Sequence, residues 1–339
     1  MKLLLHKQKN PFFEHAEAEY FLAERDGEVV GRIAAISNRL HNEFHADKVG
    51  FFGFFESVDD QAVADTLLKT ANDWCRARGH DVLRGPASFS TNDECGLLID
   101  GFDKPPTIMT PHNPPYYATL LERAGFAKAK DLLMLEGGDQ VHFVTVPERL
   151  NRAVDLMLKR AGVTLRPLRM KDFKNEVELV KTLYNACWEE NWGFIPMTEH
   201  EIDHLAVQFK PVVVPDQVVF AEREGKTIGF ALALPDFNVV FRRHRSGRMF
   251  PAALDLLWSL WRKKITRARV LLLGVLPEFR GKGIDSALYH WIWTKSGEHG
   301  MYWAEGGWIL EDNLAIKLGL EKMTFKVYKT YRLYDRAVS

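Results

Sequence analysis

The amino-acid sequence predicts an α/β protein made of two copies of one fold, each a mixed, mostly antiparallel central sheet flanked by helices. The first observation is a repeat: residues 23–31 recur as residues 221–229, and residues 121–126 recur as residues 320–325. The order and the spacing of the repeated segments agree, which is typical of a duplicated unit. The second observation is that strand-like runs alternate with amphipathic helical stretches inside each copy.

The length of 339 residues suits two domains rather than one. We expect a first domain over 1–145 and a second over 163–339, with a connecting helix over 146–162. The two domains are predicted to be unequal in function, because the cofactor motif described below occurs in the second copy alone.

Bulk composition excludes several classes of partner. Lysine and arginine together number 45, as do aspartate and glutamate, so the formal net charge is zero and no overall field points to nucleic acid or a membrane. The N-terminal apolar residues 3–5 are too short for a signal peptide, and no run approaches the ~20 apolar residues of a membrane span. Three cysteines without metal-ligand spacing fit reduced thiols. We therefore expect a cytoplasmic, soluble protein.

The first copy opens with a hairpin at an Asp-Gly pair and continues to a strand over residues 50–56. The following residues 57–62 contain no glycine and no cation, so Ser57 or Asp59 is expected to do no more than cap a helix. Further on, residues 84–117 form a polar stretch rich in Gly and Pro. Such a stretch is either a functional loop or a solvated surface loop.

The second copy contains a helix over residues 177–187 that ends in aromatic residues. Residues 188–194 combine two tryptophans with the carboxylates Glu189 and Glu190 where the helix gives way to a loop. This combination is expected either as a lid over an acceptor site or as a hydrophobic hinge with solvated glutamates.

Residues 200–204 spell His-Glu-x-x-His, the helix motif of zinc proteases. Thr198 and Glu201 have the spacing of a capping box, which makes this segment the first turn of a helix. No motif for a third ligand follows, so we discount a zinc site.

A basic run over residues 242–248 precedes a helix predicted over residues 251–264. The run could contact a nucleotide phosphate, but in a chain of zero net charge clustered cations more often face water.

A glycine loop is the segment whose residue types packing explains least. Pro277 ends the strand over residues 270–275. Two glycines that alternate with two cations follow, and a helix is predicted to begin at Ile284. Backbone N–H groups of a glycine loop that leads into a helix N-terminus form a site for an anion. A plain glycine turn before a capped helix is the alternative.

This loop resembles the pyrophosphate loop of the GNAT superfamily of acyl-CoA-dependent N-acyltransferases, which reads Arg/Gln-x-x-Gly-x-Gly/Ala. Arg280 and Gly283 match, whereas Asp285 stands where the family has Gly or Ala. The segment Glu311-Asp312-Asn313 resembles the family's Glu-x-Asn, and Leu320 occupies the position of the tyrosine that protonates the leaving thiolate.

The resemblance implies an N-acyltransferase that uses acetyl-CoA or another acyl-CoA, with acetyl transfer to a small-molecule or peptide amine as the first expectation. The acceptor would lie between the domains. The implied cofactor-binding residues are Leu273, Val275, Arg280, Gly281, Lys282, Gly283, Ile284 and Asn313. The candidate catalytic bases are Glu305, Asp236 and Glu190. A catalytically silent GNAT-like protein is the competing hypothesis, favoured by Asp285 and Leu320.

Overall fold

The structure is a computed structural model that describes residues 4–139, 145–189 and 191–338. Its strands form a single mixed sheet with helices on both faces. The strands are β1 (Ala16–Arg25), β2 (Glu28–Asn38), β3 (Val49–Ser57), β4 (Val82–Gly85), β5 (Leu97–Asp100), β6 (Ala127–Gly138), β7 (Thr164–Pro167), β8 (Val218–Arg223), β9 (Lys226–Pro235), β10 (Arg267–Val275), β11 (Trp303–Leu310) and β12 (Lys326–Ala337). The helices in the described ranges are α1 (Arg39–His45), α2 (Gln61–Arg76), α3 (Tyr116–Arg123), α4 (Glu148–Ala161), α5 (Phe173–Trp188), α6 (Glu199–Phe209), α7 (Asn238–Phe241), α8 (Met249–Trp261), α9 (Ile284–Glu298) and α10 (Leu314–Lys322).

The last strand of each half pairs with the other half. The strand order is β1-β2-β3-β4-β12-β6-β11-β10-β9-β8-β7, with β5 also paired to β12. Strand β12, at the end of the chain, therefore lies beside β4 of the first half, while β6 of the first half lies beside β11. The two copies predicted from the repeat share one continuous sheet. Neither half would have a complete sheet without the other, because removal of a partner strand exposes unpaired backbone groups.

Both hairpins of the repeat are present and have the same turn. In the first, Asp26 and Gly27 have φ of 53° and 81°; in the second, Glu224 and Gly225 have φ of 52° and 78°. Two successive residues in the left-handed region are typical of the two-residue turns that join antiparallel strands. The sequence prediction of two equivalent hairpins is confirmed.

The turn from strand to helix differs between the two halves, as the sequence predicted. In the first half β3 leads into α2, whose N-cap is Asp60, with its side chain accepting a hydrogen bond from the Ala62 N–H. The expectation that Ser57 or Asp59 caps this helix is wrong, because Ser57 is still the last residue of the strand. In the second half the equivalent turn is the glycine loop before α9.

The observed bounds of two helices differ by a few residues from the predicted bounds. The connecting helix is observed as Glu148–Ala161, and the helix predicted over 251–264 is observed as Met249–Trp261. Pro251 fits in the first turn of α8 because the N–H groups of a first turn have no partner inside the helix. In the described ranges, no helix is long and apolar enough to cross a membrane.

Candidate active site

Strands β10 and β11 separate in the middle of the sheet. They pair in parallel only from Arg267 with Trp303 to Val270 with Gly306. Beyond that point β10 stays paired to β9 as far as Val275, while β11 continues on β6 after a register shift between Gly306 and Ile309. The shift falls at Gly306 and Gly307, and glycines within a strand permit such a bulge. The gap leaves backbone groups at the centre of the sheet open to a ligand.

A cavity of about 190 Å³ occupies this gap. Leu271 and Leu272 of β10 line one side, and Trp308 and Asn313 line the other. The segment predicted as a lid covers it, contributing the side chains of Trp188, Asn191, Trp192 and Phe194. Residues that bind a ligand in this gap would therefore come from both strands and from the loop after α5.

A glycine in β10 allows the lid to lie against the strand. A Cβ atom at Gly274 would come within 2.7 Å of both the Cys187 Cβ and the Trp188 ring. No side chain fits at that distance, so glycine is required where the end of α5 crosses β10.

The glycine loop has the geometry that the sequence predicted. Gly281 and Gly283 have φ of 72° and 80°, a region that favours glycine. Gly283 is the N-cap of α9 and no side chain caps the helix. Ile284 is buried at its first position, and Asp285 follows in the first turn without making a capping hydrogen bond. The first-turn N–H groups of α9 are thus arranged to bind an anion.

The two cations of the loop contact backbone carbonyl groups. Arg280 donates from Nε to the Val275 carbonyl at 3.2 Å and from a terminal nitrogen to the Cys187 carbonyl at 2.8 Å. Lys282 donates to the Glu278 carbonyl at 3.0 Å. Arg280 therefore joins the loop to the end of β10 and the end of α5, the two segments that border the gap.

Further cations collect beside the loop from elements distant in sequence. Arg160 of α4, Arg223 of β8 and Lys282 line one open cavity of about 510 Å³. Gly283 borders the same region, since a Cβ atom added at Gly283 would lie 3.4 Å from the side chain of Met157 on α4. No pattern in the sequence pointed to Arg160 and Arg223, because neither lies in the motif.

The remaining implied cofactor residues lie around the gap. Leu273 and Val275 continue β10 past the point where β11 departs, paired with Ala231 and Gly229 of β9. Asn313 is the N-cap of α10 and accepts a hydrogen bond from the Ile316 N–H. Their roles toward a cofactor stay a prediction.

Glu305 is fully enclosed in a polar cluster. It accepts hydrogen bonds from Thr107 Oγ1 at 2.6 Å and from the Tyr328 hydroxyl, and its carboxylate lies 3.4 Å from Arg269 Nε. Burial raises the pKa of this carboxyl, and the charge of Arg269 opposes the rise. None of the Glu305 side chain is accessible, although it lies near the end of a strand segment with glycines on one side.

Asp236, the second predicted base, does not line any of the described cavities. Asp236 is 2% exposed; it accepts hydrogen bonds from the Ile108 and Asn238 N–H groups and pairs with Arg267 at 3.4 Å. Glu190 lies outside the described residues. Of the predicted bases that the structure describes, neither Glu305 nor Asp236 lines the cavity in the gap.

Asp93 is a carboxylate in the cavity that the sequence did not single out. It lines the 190 Å³ cavity, and Ser90 Oγ donates a hydrogen bond to it at 3.0 Å. Part of its surface faces the cavities, yet protein surrounds it, and this burial raises its pKa to about 7 although the Ser90 hydrogen bond lowers it. Its position within the Gly- and Pro-rich stretch 84–117 was the available signal, but no spacing there distinguished Asp93 from its neighbours.

The segment around Asp93 is held against the second half. Thr91 Oγ1 donates to the Gly193 carbonyl at 2.6 Å, and Asn92 Nδ2 donates to the Ile195 carbonyl at 3.0 Å. Tyr184 of α5 donates to Asn92 Oδ1 at 2.9 Å. These hydrogen bonds fix Asp93 beside the lid. The alternative of a solvated surface loop is therefore wrong for this part of 84–117.

A second cavity extends from Asp93 into the first half. Its volume is about 390 Å³, and Asp93, Met109, Leu205 and Phe209 line both this cavity and the one in the gap. The carboxylates Glu56 and Glu94 also line it, together with one cation, Arg32, which pairs with Glu56 at 3.5 Å, so carboxylates outnumber cations there. A cavity with acidic groups favours a cationic ligand such as an ammonium.

A third, apolar cavity of about 110 Å³ lies between α5, α6 and the sheet. Aliphatic and aromatic side chains make up most of its lining. It shares with the gap cavity the residues Tyr184, Met197, Leu205, Phe209, Leu232 and Leu272. The gap therefore adjoins an acidic cavity on one side and an apolar cavity on the other.

Helix α6 begins with the predicted capping box, which is confirmed: Thr198 accepts from the Glu201 N–H, and Glu201 accepts from the Thr198 N–H. Glu201 also lies 3.2 Å from His15 Nε2. Among the residues described, no group of three or more His, Cys, Asp or Glu side chains is placed to hold a metal ion.

No protein-family model matches this chain. It is 37% identical over 338 residues to a protein named bacterial ceramide synthase from Caulobacter vibrioides, a match that covers 97% of this chain and 86% of that protein. It is 33% identical over 337 residues to Protein YghO of Escherichia coli, covering 97% of this chain and 85% of that protein.

Solved structures with the same fold share little sequence with the chain. A tandem GNAT protein from the clavulanic acid biosynthesis pathway is 12% identical, with a TM-score of 0.53 over 96% of this chain and 84% of that one. A GCN5-related N-acetyltransferase from Sphaerobacter thermophilus is 13% identical, with a TM-score of 0.54 over 94% of this chain and 81% of that one. These likenesses show the fold, so the prediction of a GNAT fold is confirmed.

Proposed function

We propose that this chain, which belongs to the family of the bacterial ceramide synthase and Protein YghO, transfers an acyl group from a coenzyme A thioester to the amine of an acceptor. The observation that carries the proposal is the gap between β10 and β11. On one side it is bordered by the ends of β10 and α5, which Arg280 of the glycine loop contacts, and on the other by Asp93, a carboxylate whose pKa burial raises to about 7. A thioester arm and an amine would meet in that gap.

Coenzyme A carries a pyrophosphate and a separate 3′-phosphate, and two features of the chain support its binding. The uncapped N-terminus of α9 and the loop amides suit the pyrophosphate. Arg160, Arg223 and Lys282, around the neighbouring cavity, suit the 3′-phosphate. The backbone at Gly281 and Gly283 leaves room for a phosphate to approach closely, since even a Cβ atom added at Gly281 would meet no protein atom within 4 Å.

We propose that the acyl group is longer than acetyl, which revises the first expectation from sequence. The apolar cavity next to the gap is lined by the side chains of α5 and α6 and offers almost no polar surface. An acetyl group would leave this cavity without a ligand, whereas a hydrocarbon chain gains free energy by entering it. The name of the 37% identical relative, a ceramide synthase, agrees with a fatty acyl donor.

The acidic cavity supports an amine acceptor. The acceptor nitrogen arrives as an ammonium with an ordinary pKa of about 10.4, and it must lose a proton before it can attack. Asp93 separates the acidic cavity from the gap and is the group we assign as the general base. A carboxyl with a pKa near neutral pH is matched to that task.

In the proposed reaction Asp93 accepts one proton from the ammonium. The free amine nitrogen bonds to the thioester carbon, whose carbonyl oxygen is polarised by backbone N–H groups of β10 between Leu273 and Val275. The carbon–sulfur bond breaks and the sulfur leaves as a thiolate. The nitrogen loses a second proton as the amide forms, and this proton reaches the thiolate through solvent; since an ordinary thiol has a pKa of about 8.5, no dedicated acid is needed. Asp93 releases the first proton to solvent and is ready for the next turnover. The products are an amide and coenzyme A.

The test is an assay of thiol release by the full chain with palmitoyl-CoA and a long-chain amino alcohol, with the amide identified by mass spectrometry. Release that depends on the amine and yields the amide supports the proposal. Thiol release without amide, or none at all, overturns it. Binding of acyl-CoA without turnover would favour the catalytically silent alternative, which the departures at Asp285 and Leu320 support.

A further inference from the structure

Helix α8 presents an apolar face to solvent. Phe250, Leu254, Leu257 and Trp261 recur at the spacing of one helical turn, and they are 78%, 55%, 51% and 75% exposed. Trp258 lies beside this row and is 47% exposed. A surface helix ordinarily has its polar side outward, so a contiguous apolar face with two exposed tryptophans is a sign of an interaction surface.

The opposite face of α8 is anchored in the protein. Ala252, Leu256 and Ser259 are buried, and Leu256 packs with Phe237 and Val240 of the adjoining segment. Helix α8 therefore already has a buried face, and the exposed apolar residues form a second one. Both faces of the helix are apolar, and one of them packs against the rest of the protein.

Cations surround this face. Residues 237–266 contain seven lysines and arginines and one carboxylate, Asp255. All seven cations are exposed: Arg242, Arg243, Arg245, Arg248, Arg262, Lys263 and Lys264. Asp255 is already paired, with His244 at 2.9 Å and Arg243 at 3.7 Å. Because the whole chain has zero net charge, this positive charge is local.

We propose that α8 and the cations at its two ends dock the protein on an anionic lipid surface, with the helix axis in the plane of the interface. A helix of this kind buries its apolar side among the acyl chains and places Lys and Arg at the level of the phosphates. Lys264 Nζ lies 3.9 Å from the centre of the Trp258 ring, and Arg262 lies 5.5 Å from that of Trp261. Tryptophan with an adjacent cation is suited to the boundary between acyl chains and headgroups.

The distribution of charge disfavours a second copy of the chain as the occupant. Cations flank the helix at both ends, with Arg248 before its first residue and Arg262 after its last. A symmetric pairing of two α8 faces would bring cations against cations in either orientation of the helices, and like charges at that distance repel. An anionic surface compensates the same charges at both ends.

The proposed docking surface lies next to the candidate active site. Leu256 and Leu260 of α8 pack in one cluster with Phe209, Leu232 and Leu271, which line the gap cavity on their other side. A docked helix would place those cavities close to the lipid. The inference itself does not require acyl transfer, because lipid binding is measured without substrate.

The experiment is co-sedimentation of the full chain with vesicles of phosphatidylcholine containing about one third phosphatidylglycerol, against vesicles of phosphatidylcholine alone. A triple variant, Arg242→Gln with Arg245→Gln and Arg248→Gln, is expected to bind on the order of a hundredfold more weakly, since each cation contributes about fivefold. Phe250→Ser with Trp261→Ser should weaken binding by about tenfold or more, because these side chains supply the apolar contact.

The matched control is Leu22→Ser with Val29→Ser, two apolar side chains that are 63% and 58% exposed on the first hairpin. This control should bind vesicles as the unchanged chain does. All these positions are exposed, so melting temperatures should stay close to that of the unchanged chain, which separates lost binding from lost folding.

Equal binding to both kinds of vesicle would overturn the proposal. Unchanged binding by the triple arginine variant and by Phe250→Ser with Trp261→Ser would overturn it too. So would light scattering that shows a dimer in the absence of lipid which Phe250→Ser with Trp261→Ser converts to a monomer, because α8 would then be an interface between copies. Quenching of tryptophan fluorescence by lipids brominated in the acyl chain, lost in Trp258→Phe with Trp261→Phe, would directly support insertion of this helix.

Discussion

Leu205 and Phe209, one turn apart on α6, both line all three adjoining cavities of the candidate site. Residues four apart on a helix lie on the same side of it, which is why a single short helix can border three spaces. Val207, between them, is 73% exposed on another side. One face of α6 therefore lines the candidate site, and another face contacts solvent.

Enlarging Ala206, which lines the apolar cavity but neither of the other two, tests the assignment of that cavity to the acyl chain. Ala206→Trp should lower kcat/KM for palmitoyl-CoA at least tenfold and leave that for a short acyl-CoA nearly unchanged, because the added rings fill space that only a long chain uses. Steady-state rates of thiol release over a series of chain lengths measure this. Val207→Trp on the exposed side is the control and should leave the series unaltered. An equal loss for every chain length would argue against the assignment.

Asp93→Asn tests the general base. Its turnover should fall by about 10²–10⁴ with little change in the affinity for acyl-CoA, because proton removal is lost and binding is not. Glu94→Gln is the matched control, since Glu94 lines the acidic cavity but not the gap. That variant should raise the KM of the amine and largely preserve turnover. Comparable turnover of Asp93→Asn and the unchanged chain would exclude Asp93.

The raised pKa of Asp93 also predicts two pH dependences. The base must be ionised, so the rate should rise as pH passes through about 7 and level off above it. The folded-state pKa exceeds the unfolded value of about 3.9, so Asp93 binds more protons when folded, and its contribution to stability is lost as pH rises from about 4 to about 7. The melting temperature of the unchanged chain should fall relative to that of Asp93→Asn across this interval. Parallel melting curves at all pH values would contradict the assigned pKa.

The cations near the glycine loop are tested with two ligands that differ in one phosphate. Arg160→Ala with Arg223→Ala should weaken binding of coenzyme A by about a hundredfold or more, because charge-assisted hydrogen bonds each contribute about 1.5–3 kcal/mol. Binding of dephospho-coenzyme A, which lacks the 3′-phosphate, should hardly change. Isothermal titration measures both, and Arg152→Ala, on α4 but outside that cavity, is the control. If both ligands lose affinity equally, the two arginines do not bind the 3′-phosphate.

Glu305→Gln separates a structural role from a catalytic one. The carboxylate is fully buried and paired with Arg269, so its neutralisation should lower the free energy of unfolding by about 3–5 kcal/mol. Denaturant titration measures this change. Glu43→Gln, which removes an exposed pair with Arg39, should cost less than about 1 kcal/mol. Unchanged stability of Glu305→Gln together with a loss of turnover would return Glu305 to the role of base.

Several features of the fold followed from the sequence because they depend on residues close together in the chain. The Asp26-Gly27 and Glu224-Gly225 turns, the capping box at Thr198 and the positive φ of Gly283 all depend on the conformations that a few neighbouring residues allow. The gap that begins at Gly306 follows from the same kind of signal, since glycines in a strand mark a bulge or a close approach.

Features that depend on which distant segments pack together were decided by the tertiary structure alone. Glu305 is inaccessible because Thr107, Tyr328 and Arg269 enclose it, and no pattern around Glu305 indicates those partners. Asp93 borders the gap because its loop is bound to the lid of the other half. The repeat does not predict that β6 and β12 each pair with a strand of the other half. Two copies of a fold have the same local sequence pattern whether their strands pair within or between halves. The sequence by itself determined the local conformations and the GNAT motif, and the tertiary structure decided which side chains share a cavity, since burial is set by contacts far apart in the chain.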